Sequence, residues 1–191
     1  MANNYYERFY KNFSEIISNR LQNGNIVDLE TFDGTLARNL LQKGFFVNMI
    51  DTWEIFTNQN DPRSGFHQCH MEEIEYKVDF ETQEFSQKRN IIKAKSEEAV
   101  KTFKNESVDC INLYFYGHSL IKEIMRWWPK IREDGWFCGS MFIGHERKQI
   151  FNHQNLNEIN DLLTISGLSC EVDSFKWFIQ KKSKNITFKV Q

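Results

Sequence analysis

The fold turns on the stretch Ile26-Val27-Asp28-Leu29-Glu30-Thr31-Phe32-Asp33-Gly34, together with Thr35 to Gln42 and Phe45 to Asp51 after it. Gly24-Asn25 ends what comes before, and Ile26 to Leu29 is a short apolar run of strand type. Thr35 to Gln42 has helical periodicity, closed by Gly44 where a left-handed cap belongs. Phe45 to Ile50 is a second apolar run, ending in Asp51. A strand, a glycine-bearing loop, a helix and another strand in so short a span is the repeating unit of a parallel sheet.

The same rhythm extends in both directions. Tyr6, Phe9, Tyr10, Phe13, Ile16, Ile17 and Leu21 recur at steps of three and four, which predicts an amphipathic helix over residues 1–22. Residues 58–86 are polar with poor periodicity and are read as an insertion with one helix. Asn90 to Ala94 is a third short strand, and Ser96 to Phe103 a short helix with Ser96 as its N-cap. Val108 to Tyr116 is apolar nearly throughout, as a central parallel strand should be. Ser119 to Trp128 is a helix, Trp136 to Phe142 a fifth strand and Leu156 to Ser166 a helix. Two strands, Cys170 to Gln180 and Ile186 to Val190, close the chain around a basic turn, Lys181 to Lys184. The expectation is a single α/β domain over residues 1–191. It is a Rossmann-like, doubly wound sheet of seven strands, mostly parallel, with a C-terminal antiparallel hairpin.

Composition narrows the classes. Apolar residues make up 40% of 191, with 17 Phe and 5 Trp, enough for a core and unlike a collagenous, coiled-coil or disordered chain. Twenty-four basic against 26 acidic residues leave a net charge of −2, so no overall field points to nucleic acid or an anionic membrane. No run is long enough to span a bilayer, and Met1 to Tyr10 has no hydrophobic signal segment. The four cysteines, Cys69, Cys110, Cys138 and Cys170, are far apart and read as thiols rather than disulfides. The chain is therefore expected to be cytoplasmic, and the sequons at Asn12, Asn105 and Asn185 carry no weight.

In doubly wound sheets ligands bind beyond the carboxyl ends of the strands. That places the candidate site at Asp28 to Gly34, Asp51 to Trp53, Lys95-Ser96, Phe115 to His118 and Gly139 to Phe142. A loop leading into a helix offers backbone N–H groups, and Gly34 allows a close turn. Asp51 is placed to accept hydrogen bonds from both hydroxyls of a ribose. Acid, loop and glycine on the first strand with an acid on the second suit a nucleoside. The plainer alternative, that Asp28 and Asp51 only cap neighbouring loops, fits the spacing equally.

At these residues a resemblance is visible. Val27 to Gly34 resembles the first motif of class I S-adenosylmethionine-dependent methyltransferases. Ile50-Asp51-Thr52-Trp53-Glu54 is similar to the second-strand ending of the subgroup that includes macrolide and glycan sugar O-methyltransferases and cephalosporin-hydroxylase-like proteins. Lys95-Ser96-Glu97-Glu98-Ala99, Gly117-His118-Ser119, Trp128-Pro129-Lys130 and Asp134-Gly135-Trp136 follow in that subgroup's order. Gly139-Ser140-Met141-Phe142 falls at its next motif, and the resemblance spans about residues 24–182.

The resemblance implies S-adenosylmethionine as cofactor, with S-adenosylhomocysteine as product. Asp28, Glu30, Thr31, Phe32, Gly34, Asp51, Thr52, Lys95 and Ser96 would hold it. His118 falls at the position of a general base, and the acceptor would be a sugar hydroxyl of a glycan or nucleotide sugar. Three residues depart from the pattern. Glu30 stands at the first motif's first glycine, where its carboxylate could crowd the methionine part of the cofactor or pair with its α-amino group. Phe115 and Met141 stand where the metal-binding subgroup has aspartates, and neither ligates a hard cation. Glu146 is the nearest carboxylate that could substitute. No metal is expected.

The partners expected are a carbohydrate acceptor and a second copy of the chain, with residues 58–86 shaping the acceptor pocket and the aromatic N-terminal helix covering the cofactor or packing on the sheet. The three departures also support a different class, a catalytically inactive relative that binds or scaffolds. Gly117-His118-Ser119 lacks the glycine a nucleophile elbow needs at Ile121. His67, Cys69 and His70 lack a second ligand pair for zinc. No P-loop or dinucleotide fingerprint is present.

Overall fold

The computed structural model describes residues 3–55, 65–113, 120–140, 142–143, 150–151, 157, 161, 168–173 and 176–182. Five helices are described: α1 (Asn3–Arg20), α2 (Thr35–Gln42), α3 (Gln68–Thr82), α4 (Ser96–Ala99) and α5 (Leu120–Trp127). The strands are β1 (Asn25–Leu29), β2 (Phe46–Asp51), β3 (Arg89–Lys93), β4 (Val108–Leu113), β5 (Ile131–Ser140), β6 (Phe142–Ile143), β7 (Ile150–Phe151), β8 (Cys170–Asp173) and β9 (Lys176–Gln180). Seven of them form one sheet in the order β3-β2-β1-β4-β5-β9-β8, and β6 pairs with β7 apart from it. The first five sheet strands are mutually parallel, while β9 runs antiparallel to both β5 and β8.

The strand order reverses between β1 and β4, so the sheet is wound from its centre outward in both directions, as the α/β rhythm predicts. Each face carries its own core. On one, Phe13, Ile17, Leu40, Phe45 and Met49 join Trp53 beneath α1, α2 and α3. On the other, Val27, Leu29, Ile111 and Phe137 meet Ile124 and Trp127 of α5. The alternation is visible within β1, where Ile26 belongs to the first core and Val27 and Leu29 to the second.

Several elements differ from expectation in ways that have physical causes. Residues 68–82, within the stretch read as an insertion, form a long helix with Met71, Val78 and Thr82 buried, and it makes the crossover that parallel β2 and β3 require. Ser96 is the first helical residue of α4, and Lys95 occupies the N-cap. The Ser96 hydroxyl is turned instead to α5, donating to Glu123 at 2.5 Å and accepting from the Trp127 indole N–H at 2.7 Å. Strand β5 begins at Ile131, five residues before the apolar run, because its first residues pair at Val108 before a bulge while Arg132, Glu133 and Asp134 stay exposed.

Residues 170–180, expected as one strand, form an antiparallel hairpin of two, β8 and β9. Residues 183–191 lie outside the described set, as does nearly all of the helix expected at Leu156 to Ser166. Lys181 of the expected basic turn is buried, and its ammonium donates to the carbonyls of Ile131 at 2.6 Å and Trp128 at 3.2 Å. Among the described residues no helix is long and apolar enough to cross a membrane.

Candidate functional site

The parallel strands β1, β2 and β4 end at a common edge, and the loop from Glu30 to Gly34 closes over it. Three residues of this loop, at alternate positions, have left-handed backbone: Glu30 (φ 55°), Phe32 (φ 52°) and Gly34 (φ 71°). Two observations favour glycine at 34, the left-handed backbone and the Val78 side chain of α3, which a Cβ would meet at 3.2 Å. Glu30 and Phe32 adopt the same conformation with side chains in place, which costs about 1–2 kcal/mol per residue and requires a surrounding structure that imposes it.

Two aspartates impose it. Asp51, at the end of β2, accepts the backbone N–H of Phe32 on one oxygen and that of Trp53 on the other, both at 2.9 Å. The Trp53 indole N–H returns to the Phe32 carbonyl at 2.9 Å, and the Thr31 N–H donates to the Ile50 carbonyl at 3.2 Å. Asp28, near the end of β1, accepts the Thr31 hydroxyl at 2.5 Å and the Asn112 side-chain amide of β4 at 2.6 Å. Burial pushes its carboxyl up from 3.8 to about 6, against the pull of these two hydrogen bonds. Asp33 accepts the Thr35 N–H at 3.0 Å in a tight turn that leads into α2, whose N-cap is Gly34.

Asp28, Glu30, Thr31, Phe32 and Asp33 line a cavity of about 10 Å³, with Leu36, Asn112, Tyr6 and Tyr10 completing it. The two tyrosines come from α1, so the aromatic N-terminal helix lies over the loop and packs on the sheet as well. Its outer end is tied to α2 by the Glu7–Arg38 ion pair, and Arg38 also holds Glu81 of α3 at 2.6 Å.

Of the residues expected at the site, Asp28, Glu30, Thr31 and Phe32 line this cavity, and Gly34 ends the loop beside Val78 of α3. Asp51 is 3% exposed and holds the loop's frame, with both oxygens engaged. Thr52 turns its hydroxyl toward the Glu54 N–H at 3.4 Å. Lys95 and Ser96 follow β3 at the same edge of the sheet, with Ser96 bonded to α5 as described. Gly139 lies under Trp177, whose ring a Cβ would meet at 2.5 Å, so its glycine is there for packing. Phe66, just before α3, contacts Phe32 at 5.8 Å between ring centroids and brings His70 alongside it at 6.3 Å. This is where residues 58–86 reach the site. Phe115, His118, Met141 and Glu146 lie outside the described residues.

Asn112 is the residue that sequence reasoning missed. Its signal was available, as an amide inside a central strand that is otherwise apolar apart from Asp109. Among the described residues no three His, Cys, Asp or Glu side chains come together as a cation site.

No family model matches the chain, and no curated protein is recognisably similar to it in sequence. Solved structures are similar in fold. A candidate S-adenosyl-L-methionine-dependent methyltransferase of Methanococcus maripaludis superposes with a TM-score of 0.66 at 15% identity, over 93% of this chain and 87% of that one. A candidate caffeoyl-CoA O-methyltransferase of Staphylococcus aureus gives 0.61 at 12% identity, over 91% and 82% of the two chains. The Burkholderia thailandensis 1,6-didemethyltoxoflavin-N1-methyltransferase, solved with bound 1,6-didemethyltoxoflavin and S-adenosylhomocysteine, gives 0.58 at 14% identity, over 89% and 76%. The shared feature is the Rossmann-like methyltransferase fold.

Proposed function

We propose that this protein is an S-adenosylmethionine-dependent methyltransferase that acts on an oxygen, with a sugar hydroxyl of a glycan or nucleotide sugar as acceptor and without a metal. The observation that carries the reading is the loop from Glu30 to Gly34. It keeps left-handed backbone at each of the three alternate positions, above a sheet of methyltransferase order, although two of the three residues are not glycine. Backbone strain held in place by two buried aspartates is expected where a ligand uses the resulting shape.

The residues fit such a cofactor at its amino-acid end, where the cavity offers carboxylates and an amide. Asp28, Glu30 to Gly34, Asp51, Thr52, Lys95 and Ser96 would hold it, and Tyr6 and Tyr10 of α1 would shift to admit its larger nucleoside part. When bound, S-adenosylmethionine supplies an electrophilic methyl group on a sulfonium. On the acceptor side, a neutral imidazole at His118 would take the hydroxyl proton near pH 7. Alignment of the acceptor would supply most of the remaining acceleration. Phe66, His67 and His70 at the start of α3 would border the acceptor. A homodimer and a cytoplasmic location complete this reading.

Titration calorimetry with S-adenosylmethionine and S-adenosylhomocysteine, with and without EDTA, is the test. Binding indifferent to EDTA supports a metal-independent enzyme. With an acceptor in hand, His118→Ala should abolish turnover and spare cofactor affinity, and unchanged turnover would remove His118 from the mechanism.

A second reading, a non-catalytic binding or scaffold protein, is favoured by one observation. With α1 in place the cavity is the size of a single water. Absence of heat and of thermal shift with both nucleosides would select it.

A further inference from the structure

Two aromatic side chains of α3 stand in solvent. Tyr76 is 71% and Phe80 58% exposed, and their rings lie 6.3 Å apart between centroids, inclined by 16°. The helix already has a buried side, made by Met71, Val78 and Thr82. At 3.6 residues per turn Tyr76 and Phe80 fall on the opposite side, so α3 is apolar on both faces. Single exposed apolar residues are ordinary, whereas an adjacent aromatic pair is the kind of anchor around which interfaces are built.

The charge around the pair identifies what fits it. Residues 68–85 carry six carboxylates and one lysine. Three of the carboxylates are paired at 2.6 Å, Glu75 with Lys93, Asp79 with Arg89 and Glu81 with Arg38, and Glu72 also acts on Lys93. Glu73, one turn before Tyr76, and Glu84, in the turn after α3, are exposed and make no ion pair among the described residues. Two negative charges thus bracket the aromatic pair, whose ring faces attract cations as well. Nucleic acid or an anionic bilayer would be repelled. A second copy docked face to face would set the same carboxylates against each other.

We propose that the outer face of α3 docks a basic amphipathic segment of another protein, whose apolar side chains cover Tyr76 and Phe80 and whose cations reach Glu73 and Glu84. Arginine suits the face best, since a guanidinium stacks on an aromatic ring and pairs with a carboxylate. The face is small, so the contact is transient and sensitive to salt. None of these four residues lines the cavity at the Glu30 to Gly34 loop, and the proposal does not depend on the methyltransferase reading.

The experiment follows the fluorescence anisotropy of a labelled helical peptide of Leu and Arg, with Leu at i, i+3, i+4 and i+7, as the full chain is added. The wild type should bind it, and Tyr76→Gln/Phe80→Gln should lose at least about tenfold in affinity at unchanged net charge. Both side chains are exposed, so the substitutions leave the core untouched and the urea midpoint in place. Glu73→Gln/Glu84→Gln should weaken binding by about threefold in low salt, a difference that fades as salt is raised.

Absence of binding to the wild type, or equal affinity of the wild type and Tyr76→Gln/Phe80→Gln, overturns the proposal. Equal binding of an analogue with Glu in place of Arg overturns it as well, because the basic chemistry would then be irrelevant. Sedimentation velocity without peptide supplies the last arm. The wild type and Tyr76→Gln/Phe80→Gln should sediment alike, whereas self-association of the wild type that the double variant abolishes would assign the face to a second copy and overturn the proposal.

Discussion

Asp28 and Asp51 close adjacent parallel strands, and both are almost fully buried, yet their surroundings differ. Asp51 is satisfied by backbone, through the N–H groups of Phe32 and Trp53. Asp28 is satisfied by side chains, Thr31 and Asn112, and it borders a cavity. A carboxylate that receives main-chain N–H groups fixes the path of a loop. One that receives side chains at a cavity wall can exchange those partners for a ligand. The two acids that the sequence presents as a matched pair therefore divide into one held by main chain and one held by side chains at a cavity wall.

The largest test of this division is Asp51→Ala. It leaves two buried N–H groups without acceptors, at about 1–3 kcal/mol each, so urea unfolding should register a loss of about 4 kcal/mol. A loss below about 1 kcal/mol would mean that Asp51 does not hold the loop.

Asp28 should instead show itself in pH dependence. Burial lifts its folded carboxyl from 3.8 to about 6, so the folded state holds the proton more tightly than the unfolded chain. Its contribution to stability is therefore full below about pH 4 and is lost as the pH rises through about 6. The span of about two pKa units amounts to roughly 3 kcal/mol. Asp28→Asn should remove that part of the decline between pH 4 and 7, as read from urea midpoints. A mutant whose stability follows the wild-type curve would place Asp28 among ordinary solvated carboxylates.

The smallest effect concerns Glu30. Glu30→Gly relieves a left-handed residue and should stabilise the protein by about 1 kcal/mol. If stability falls instead, the Glu30 side chain is structural.

Much of the frame was legible because local signals agreed with the tertiary outcome. α2 is bounded as expected because Gly34 and Gly44 are left-handed at its two ends, and the Gly44 and Phe45 N–H groups return to Leu41 and Leu40. The parallel strands were apolar on both faces and helices separated them. What stayed hidden depended on distant partners. Arg132 to Asp134 disguised the start of β5, whose pairing is decided by β4. Lys181 reads as a solvated turn until the carbonyls of Trp128 and Ile131 receive it. At the site, the acids and the glycine were visible, whereas the roles of Asp51 and Asn112 are set by hydrogen bonds that no local pattern encodes.

The anchoring of α1 also bears on the order in which the molecule can be made. The Lys176 ammonium of β9 is 1% exposed and sits 4.3 Å over the Phe9 ring, with the Asn12 side chain accepting its hydrogen bond at 2.8 Å. Arg20 of the same helix pairs with Glu171 of β8 at 2.9 Å. The partners are 164 and 151 residues apart in the chain. During synthesis α1 leaves the ribosome about 150 residues before the strands that complete its packing. A nascent chain stalled before residue 170 would therefore carry Phe9, Phe13 and Arg20 without their distant partners, and would recruit chaperones or aggregate for as long as the wait lasts.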